Sequence, residues 1–310
     1  MRAIVTGGAG FIGSHVVDAL VGRGDDVLVL DDLSRGRREN VNERARLSLV
    51  DVRDASAVAA AFAEAPPDVC FHLAAQPDVR VSVARPDFDA EVNVLGTIRV
   101  LEAAREHGVQ VVFSSTGGAI YGECEEPAPE DAPRLPISPY GASKLCGEEY
   151  LATYNRLHGT QHVALRLGNV YGPRQDPHGE AGVVAIFLGR IRDGDTPYIF
   201  GDGRQTRDYV YVGDVARATL AAVGHAGVFN VGTGRETSVR ELYEGCRRAT
   251  GAAVEPEFGP PRLGELGRSV LDPARSAREL GFRAATSLPD GLAATWEFIR
   301  SEGDGDRGAK

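Results

Sequence analysis

The chain has 310 residues, of which 43% are hydrophobic and 25% are charged, which is typical of a globular protein with one large domain or two smaller ones. Its net charge of -10 and its lack of a lysine and arginine stripe argue against a nucleic acid partner. No apolar run reaches the roughly 18 residues of a membrane helix, and no signal-peptide pattern precedes the first strand, so we expect no membrane association. The four cysteines form no C-x-x-C pair, which predicts a reducing cytoplasm and no metal site.

The first predicted strand, residues 2–6, runs directly into a glycine-rich segment that opens an amphipathic helix over 11–21. Only glycine permits so tight a turn and so close an approach of a pyrophosphate to the backbone. The N-terminus of the helix supplies unpaired N–H groups and a positive dipole. The pattern therefore predicts a dinucleotide site. Its phosphate-binding residues are Gly7, Gly10, Phe11, Ile12 and Gly13.

A second apolar strand, residues 27–30, ends in Asp31 and Asp32. An acidic residue roughly twenty positions after the glycines lies where dinucleotide-binding folds bind the adenosine ribose hydroxyls. A carboxylate there suits a free 2′-hydroxyl rather than a 2′-phosphate. Asp31 therefore favours NAD over NADP as the cofactor.

Strands and helices continue to alternate up to residue 167, which predicts a Rossmann-type, doubly wound parallel sheet of the α/β class. The further strands are predicted at 47–50, 69–73, 111–113 and 162–167, and the helices at 55–65, 87–107 and 140–158. Functional side chains should collect at the carboxyl ends of the strands. At that edge Asp51 and Asn93 are equally well explained as functional or structural residues, whereas His72 is interpreted as a core histidine.

From residue 168 the regular alternation stops, and short strands mix with helices. We expect an NAD-binding domain over 1–167, with returns near 208–232. A smaller mixed α/β domain for the substrate is expected over 168–207 and 233–300. Residues 301–310 combine glycines with charges and are expected to form a frayed tail.

Tyr140 and Lys144 stand four residues apart at the start of a predicted helix, so their side chains share one face. Lys144 and Lys310 are the only lysines of a chain that otherwise uses arginine. A retained lysine indicates that a compact ammonium is needed at this point. An ammonium lowers the pKa of a nearby tyrosine, and the pair is therefore a candidate for proton transfer.

The chain resembles the extended short-chain dehydrogenases/reductases over nearly its whole length, and among them the enzymes that interconvert UDP-glucose and UDP-galactose. The motifs that carry the resemblance are Thr6-Gly7-Gly8-Ala9-Gly10-Phe11-Ile12-Gly13, Asp31, Asp51-Val52, Ser114-Ser115-Thr116, Ala119-Ile120-Tyr121-Gly122, residues 140–144, residues 166–169, Arg207-Asp208-Tyr209 and Arg262-Leu263-Gly264-Glu265. The resemblance implies a tightly held NAD and a UDP-sugar between two domains. It also implies a homodimer packed through the helices that carry Asn93 and Tyr140.

The resemblance also assigns roles to individual residues by matching position. The implied cofactor contacts are Gly7, Gly10, Phe11, Ile12, Gly13, Asp31, Asp32, Asp51, Val52, Leu73, Ala74, Ala75, Asn93, Ser114, Tyr140 and Lys144. The implied substrate contacts are Thr116, Tyr140, Asn169, Phe200, Arg207, Arg262, Glu265 and Ser269. Arginine forks suit diphosphate oxygens and an aromatic ring suits a base, which is the chemistry that a nucleotide sugar needs.

The implied reaction is an epimerisation at C4 through a 4-keto intermediate. Tyr140 takes the proton of the 4-hydroxyl while a hydride leaves C4 for NAD, and Lys144 favours the phenolate. Thr116 relays or orients through its hydroxyl. Ser115 remains the alternative, because Gly117-Gly118 adds a residue before the tyrosine motif.

Other activities stay open at this point. A nucleotide-sugar dehydratase uses an acid just after the strand-end hydroxyl, where this chain has Gly117 and Gly118. A 4-epimerase of a TDP-hexose or a UDP-uronate is a second alternative, because Gly182 and Val183 replace a pair that commonly contacts uracil. The small Ser269 predicts room for UDP-GlcNAc and UDP-GalNAc as well. Outside enzymes, the alternative is a non-catalytic NAD-sensing protein on the same fold.

Overall fold

A computed structural model describes residues 1–177, 182–261 and 266–307 of the chain. The strands of these residues are β1 (Arg2–Thr6), β2 (Asp26–Asp31), β3 (Arg46–Leu49), β4 (Val69–His72), β5 (Gln110–Thr116), β6 (Val163–Leu167), β7 (Asn169–Tyr171), β8 (Tyr198–Phe200), β9 (Thr206–Arg207), β10 (Tyr209–Tyr211), β11 (Gly227–Val231), β12 (Thr237–Ser238), β13 (Glu257–Gly259) and β14 (Arg268–Ser269). The helices are α1 (Phe11–Arg23), α2 (Ala55–Glu64), α3 (Val79–Ala84), α4 (Pro86–Ala90), α5 (Gly96–His107), α6 (Gly117–Ile120), α7 (Pro139–His158), α8 (Val183–Asp193), α9 (Val212–Ala221), α10 (Val239–Thr250), α11 (Ala274–Glu279) and α12 (Leu288–Arg307).

Seven strands form one sheet in the order β3-β2-β1-β4-β5-β6-β11. All neighbouring pairs run parallel, and helices cross over between the strands. Such strands are buried on both faces and are apolar, and β6 is buried along its whole length. The connections change direction between β1 and β4, which is the switch point where doubly wound sheets bind their ligands. The predicted Rossmann-type α/β fold is confirmed.

Helices cover both faces of this sheet. On one face α1 and α9 contribute Val17, Leu20 and Val215 to an apolar cluster that includes the strands. On the other face α2, α5 and α7 contribute side chains such as Phe62 and Leu101 to a second cluster. Full burial of one such side chain is worth about 1.5–3 kcal/mol. The two layers therefore hold the strand ends, and the loops that follow them, in fixed positions.

The residues after β6 build the mixed α/β C-terminal part that the sequence predicts. Helices α8, α10 and α12 pack around a third apolar cluster that contains Leu188, Leu242 and Leu292. Small sheets accompany them: β7 pairs with β10, β8 pairs with β13, and β9 lies between β12 and β14. β11 returns to the main sheet beside β6. The residue boundaries of the two domains stay a prediction.

The last helix is longer than the sequence predicts. α12 runs over Leu288–Arg307, so the tail expected from residue 301 begins inside a helix. Glycine lowers helix stability by about 1 kcal/mol relative to alanine, and it does not end a helix that buried side chains anchor. Leu292 and Ile299 are such anchors, with 0% and 1% exposure. α12 thus includes the first seven of the residues expected to form the tail, and the flexibility of the tail stays a prediction.

None of the helices in the described ranges is both long and apolar enough to cross a membrane. The same ranges hold no group of His, Cys, Asp and Glu side chains arranged to bind a metal ion.

Candidate active site

The glycine segment between β1 and α1 forms a cradle that no larger residue fits. Gly7 has a φ of 70°, in the left-handed region. A Cβ on Gly7 would lie 2.6 Å from the nitrogen of Ala74, and one on Gly13 would lie 2.1 Å from the oxygen of Gly7. The N-cap of α1 is Gly10, which has no side chain to bind the first N–H groups of the helix. The cradle fits the pyrophosphate of a dinucleotide, with the N–H groups of Phe11 and the following residue among its donors.

Asp31 closes the cradle from the end of β2. Its side chain is 7% exposed, and its two oxygens accept the N–H groups of Ala9 at 2.9 Å and of Leu33 at 2.8 Å. Burial raises the pKa of Asp31 above its ordinary value, although these two bonds oppose the shift. Each carboxylate oxygen keeps a second acceptor position, which fits the ribose hydroxyls predicted for this residue. The neighbouring Asp32 is exposed and accepts from Ser34.

Asp51 and Val52 follow β3, next to Asp31. The N–H of Val50 donates to the Asp31 carbonyl at 3.2 Å, which places the two strand ends side by side. The Arg53 side chain donates to both Asp51 oxygens, and these bonds hold the pKa of Asp51 below its ordinary value. Val52 is 5% exposed. The structure thus brings the predicted adenine contacts to the predicted ribose contact.

The loop after β4 consists of Leu73, Ala74 and Ala75 and packs on the glycine cradle. Thr6 accepts the N–H of Ala74 at 3.2 Å through its hydroxyl, and donates that hydroxyl to Nδ1 of His72 at 2.7 Å. Thr97 donates to the Asn93 carbonyl, so Nε2–H of His72 donates to Thr97 at 3.0 Å. Burial lowers the pKa of His72 to about 3, which keeps the ring neutral. His72 is therefore a structural histidine, as predicted.

Asn93 lies in a π-helical turn, Glu91–Leu95, between α4 and α5. Its amide is 2% exposed and fully bonded. Oδ1 accepts the N–H of Gln76 at 2.8 Å, and Nδ2 lies within 3.2 Å of the Gln76 carbonyl, Asp89 Oδ1 and Ser143 Oγ. These bonds join the end of β4 to the start of α7. The geometry favours a positioning role for Asn93, whereas a direct side-chain contact with the cofactor stays a prediction.

Tyr140 and Lys144 lie on one face of α7, whose N-terminus is capped by Ser138 and opened by Pro139. Lys144 is 3% exposed, and its Nζ donates to the carbonyl of Ser114 at 2.8 Å. Burial lowers the pKa of Lys144 to about 8. The Tyr140 side chain is partly exposed, yet the surroundings of its hydroxyl raise the pKa to about 12 by desolvation. A hydrogen bond with Thr116 opposes that shift.

The direction of the Tyr140 shift corrects the sequence analysis, which expected Lys144 to lower this pKa. Burial, the largest cause, disfavours the charged phenolate. Lys144 directs its ammonium to a backbone carbonyl at the end of β5. The protein's own groups therefore leave Tyr140 protonated at neutral pH.

Ser115 and Thr116 point to opposite sides of β5, as successive strand residues do. Ser115 is 3% exposed and donates to Glu148 of α7 at 2.5 Å. Glu148 is also bound by Arg166, and both side chains of that ion pair are 2% exposed. Thr116 is partly exposed and interacts with Tyr140. Of the two candidate hydroxyls, only Thr116 lies on the side of the tyrosine.

Gly117 and Gly118 begin the short helix α6 directly after Thr116. A Cβ on Gly117 would lie 2.5 Å from the side chain of Leu271, and one on Gly118 would lie 3.3 Å from Asn169 Oδ1. The helix accommodates the additional residue noted in the sequence. A side chain at Gly117 would therefore require the buried Leu271 to move.

Four of the predicted substrate contacts lie on the small strands that follow β6, in three separate sheets. Asn169 starts β7 and donates its N–H to the Asp208 carbonyl at 2.7 Å. Arg207 in β9 is in register with Ser269 in β14, and Ser269 is 4% exposed. Phe200 ends β8, with its ring 4.9 Å from that of Tyr198. The remaining predicted contacts lie outside the described residues; they are Arg262 and Glu265.

Glu148 and Asp89 are buried carboxylates that were not predicted as site residues, although both have a signal in the sequence. Glu148 follows Lys144 by the spacing that separates Lys144 from Tyr140, so all three share one face of α7. Asp89 precedes Asn93 by the same spacing. The signal that could have identified them is a charged residue spaced four positions from a predicted site residue, because such residues share one helix face.

Comparison with known proteins gives one consistent family. The model of the NAD dependent epimerase/dehydratase family matches residues 3–232. A curated UDP-glucose 4-epimerase of Mycolicibacterium smegmatis is 51% identical, with 97% of this chain and 99% of that protein covered.

Solved structures agree with this result. A UDP-glucose 4-epimerase of Thermotoga maritima, described with UDP-glucose, has a TM-score of 0.95 at 47% identity and covers 97% of this chain and 99% of its own. One of Thermus thermophilus, described in complex with NAD, has a TM-score of 0.92 at 48% identity with the same coverage of 97% and 99%. The chain therefore belongs to the NAD dependent epimerase/dehydratase family.

Proposed function

We propose that the protein interconverts UDP-glucose and UDP-galactose by inverting C4 through a 4-keto intermediate, with NAD as its cofactor. The observation that carries the proposal is the position of Thr116, Tyr140 and Lys144 at the carboxyl end of β5. The glycine cradle lies at the same edge of the sheet. The names of the relatives from M. smegmatis and T. maritima support the same activity and substrate.

The chain's own residues would hold NAD at the edge formed by β1, β2 and β4. Bound NAD supplies a reversible hydride acceptor and, in its oxidised form, a positive charge. The glycine cradle would hold the pyrophosphate, Asp31 the adenosine ribose, and Asp51 with Val52 the adenine. Lys144 and the loop after β4 would hold the rest of the NAD molecule.

Tyr140 would take the proton from the 4-hydroxyl of the sugar and return it after the inversion. Lowering its pKa from about 12 to about 7 requires about 7 kcal/mol. The hydrogen bond with the Thr116 hydroxyl lowers the pKa of Tyr140, and a positive charge near the phenol would lower it further. Lys144, with a pKa of about 8, is largely an ammonium at pH 7, and its bond to the Ser114 carbonyl keeps it at the strand end that carries Thr116.

Replacement of the two candidate hydroxyls should affect different properties, kcat for Thr116 and stability for Ser115. We expect Thr116→Ala to reduce kcat about a hundredfold, because the proton of Tyr140 loses its partner. We expect Ser115→Ala mainly to lower stability, because it removes a donor from the buried Glu148. Steady-state kinetics and thermal unfolding of both variants separate these effects. A larger kcat loss in Ser115→Ala than in Thr116→Ala would contradict the assignment.

A dehydratase activity is disfavoured by the same site. Elimination of water needs an acid that follows the strand-end hydroxyl, and this chain has Gly117 packed against Leu271 at that position. A non-catalytic NAD sensor would have no use for a hydroxyl, a phenol and an ammonium converging on one strand end.

The nucleotide sugar would lie between the two predicted domains. The NAD-binding domain comprises residues 1–167 and 208–232, and the substrate domain comprises residues 168–207 and 233–300. The third apolar cluster, formed by α8, α10 and α12, supports a separate second domain. Asn169 and Arg207 would bind the diphosphate and Phe200 the base. We assign Arg262 to the diphosphate and Glu265 to the ribose from sequence alone.

Ser269 would set the size of the sugar pocket. We expect Ser269→Tyr to lower kcat/KM for UDP-GlcNAc more than about tenfold, because the ring would occupy the volume of the N-acetyl group. Turnover of UDP-glucose should change far less. Coupled assays with both substrates check this, and Ser269→Ala, which keeps the pocket open, is the control. Equal losses on the two substrates would contradict the pocket assignment.

The proposed function is tested by incubating the purified protein with UDP-galactose, without an added oxidant, and measuring the UDP-glucose that forms. TDP-glucose and UDP-glucuronate, assayed in parallel, decide between the proposal and a 4-epimerase of another nucleotide sugar. Formation of a 4-keto-6-deoxy product would indicate a dehydratase instead. A protein that binds NAD but converts none of these sugars would contradict the proposal.

We also propose a homodimer formed through α7 and the π-helical turn, which pack against each other. Leu95 on the turn and Tyr150 and Leu157 on α7 are 44%, 40% and 70% exposed. Exposed apolar side chains on two adjoining elements favour a symmetric interface between identical chains. Light scattering should then give twice the 32.9 kDa of one chain.

We place the protein in the cytoplasm because its cysteines are all free thiols. Two of them, Cys70 and Cys246, are buried, and Cys146 is exposed without a partner for a disulfide. Such usage is typical of a reducing compartment.

A further inference from the structure

Asp89 is a buried carboxylate that the proposed reaction does not yet use. Its side chain, on α4, is 1% exposed. Its Oδ1 accepts from Gln76 Nε2 at 3.0 Å and from Asn93 Nδ2 at 3.0 Å. Both donors are neutral amides, so these bonds solvate the carboxylate without neutralising its charge. Burial of a charge carries a large penalty, so a carboxylate at this depth depends on the partners that surround it.

The hydrogen bonds of Asp89 lead directly to the first turn of α7. Asn93 Nδ2 lies 3.2 Å from Ser143 Oγ, which in turn donates to the carbonyl of Tyr140 at 3.0 Å. Gln76, the other donor to Asp89, follows the loop after β4. One carboxylate therefore ties the proton-transferring turn of α7 to the loop assigned to the cofactor.

The charge of Asp89 acts on both functional groups of that turn. It raises the pKa of Lys144 against the lowering by burial, and it raises the pKa of Tyr140. The other ionisable groups that act on Lys144 are Glu148 on its own helix, which raises its pKa, and His72 on β4, which is neutral. On the β5 side, the hydrogen bond with the Thr116 hydroxyl lowers the pKa of Tyr140. Asp89 is the acidic group that acts on both the phenol and the ammonium.

On the basis of the proposed function, we propose that Asp89 is a positioning residue of the epimerisation. Its buried carboxylate fixes the first turn of α7 through Asn93 and Ser143, and places a negative charge near Tyr140 and Lys144.

The Asp89→Asn variant tests this proposal through the pH dependence of the NAD-loaded enzyme. Asparagine keeps an oxygen that accepts from Gln76 and Asn93 but removes the charge. Activity should rise with pH as Tyr140 deprotonates and fall as Lys144 deprotonates. Because loss of the charge lowers both pKa values, we expect both limbs of the profile to move to lower pH by about one unit. The activity of the variant relative to wild type should then decrease steadily as the pH rises.

Asp87→Asn is the matched control, because Asp87 is exposed on the same helix and loses the same charge. Its profile should coincide with that of the wild type. A uniform loss of activity in Asp89→Asn with unmoved limbs, or equal shifts in the two variants, would overturn the proposal. Circular dichroism checks folding, and Asp89→Ser, which also keeps a polar atom, replaces Asp89→Asn in the same measurement if the latter does not fold. A wild type without epimerase activity would refute the proposed function, whereas unmoved limbs with an active wild type refute only this inference.

Discussion

We expect the Tyr140→Phe variant to lose about a thousandfold in kcat for UDP-galactose, with a much smaller change in KM. The phenol is the proposed acid-base group and is hydrogen-bonded with Thr116 at the carboxyl end of β5, and phenylalanine fills the same volume without the hydroxyl. The loss should therefore affect the chemical step while binding of the nucleotide is preserved. Steady-state kinetics with UDP-galactose, together with the NAD content of the purified variant, provide the measurement.

Tyr154→Phe is the control for this experiment. Tyr154 lies on the same helix, and its hydroxyl donates to Glu102 instead of facing the strand end. That variant should keep kcat within about threefold of the wild type, because a single partly exposed hydrogen bond is worth about 1 kcal/mol of stability and takes no part in the reaction. Near-normal turnover in Tyr140→Phe would exclude the proton-transfer role and leave the NAD site intact.

The second large effect is expected on stability, from the ion pair between Glu148 and Arg166. The two side chains are 2% exposed, their closest approach is 2.6 Å, and Arg166 also donates to Tyr121 at 2.7 Å. We expect Glu148→Ala to lower the free energy of unfolding by about 3–5 kcal/mol, because the Arg166 guanidinium is then buried without its counter-ion. Urea unfolding followed by circular dichroism measures the change.

The neighbouring Glu149 supplies a matched control. It pairs with Arg134 on the surface, where the two side chains are 52% and 42% exposed. Glu149→Ala should cost about 0–1 kcal/mol, since water and salt screen exposed pairs. The double variant Glu148→Leu with Arg166→Met should recover most of the loss, because neither charge is left buried alone. Equal destabilisation by Glu148→Ala and Glu149→Ala would show that burial of the pair has no special weight.

Several features of the site were predictable because they depend on short stretches of chain. The glycine cradle follows from a strand, a turn and a helix that are contiguous in sequence, and the structure shows that a Cβ at Gly7 or Gly13 has no room. Tyr140 and Lys144 share a face because the helix repeat decides it. The parallel sheet follows from apolar runs that alternate with helices.

Other features required the packing of distant elements. Ser115 and Thr116 are neighbours with equivalent hydroxyls, and only the position of α7 over β5 decides which of them lies beside Tyr140. The role of Asp89 depends on the register between α4, the loop after β4 and α7. The pairing of Arg207 with Ser269 joins two strands far apart in the chain. No local pattern specifies such contacts.

The sequence by itself determined the fold class, the NAD cradle and the identity of the tyrosine and lysine pair, because each depends on the spacing of residues along one element. The tertiary structure alone decided the electrostatics of that pair. Burial of the Tyr140 hydroxyl reverses the direction in which the sequence predicted the tyrosine pKa to move. Desolvation depends on everything that surrounds a group, and for that reason spacing along a helix could predict the partners but not the sign of the shift.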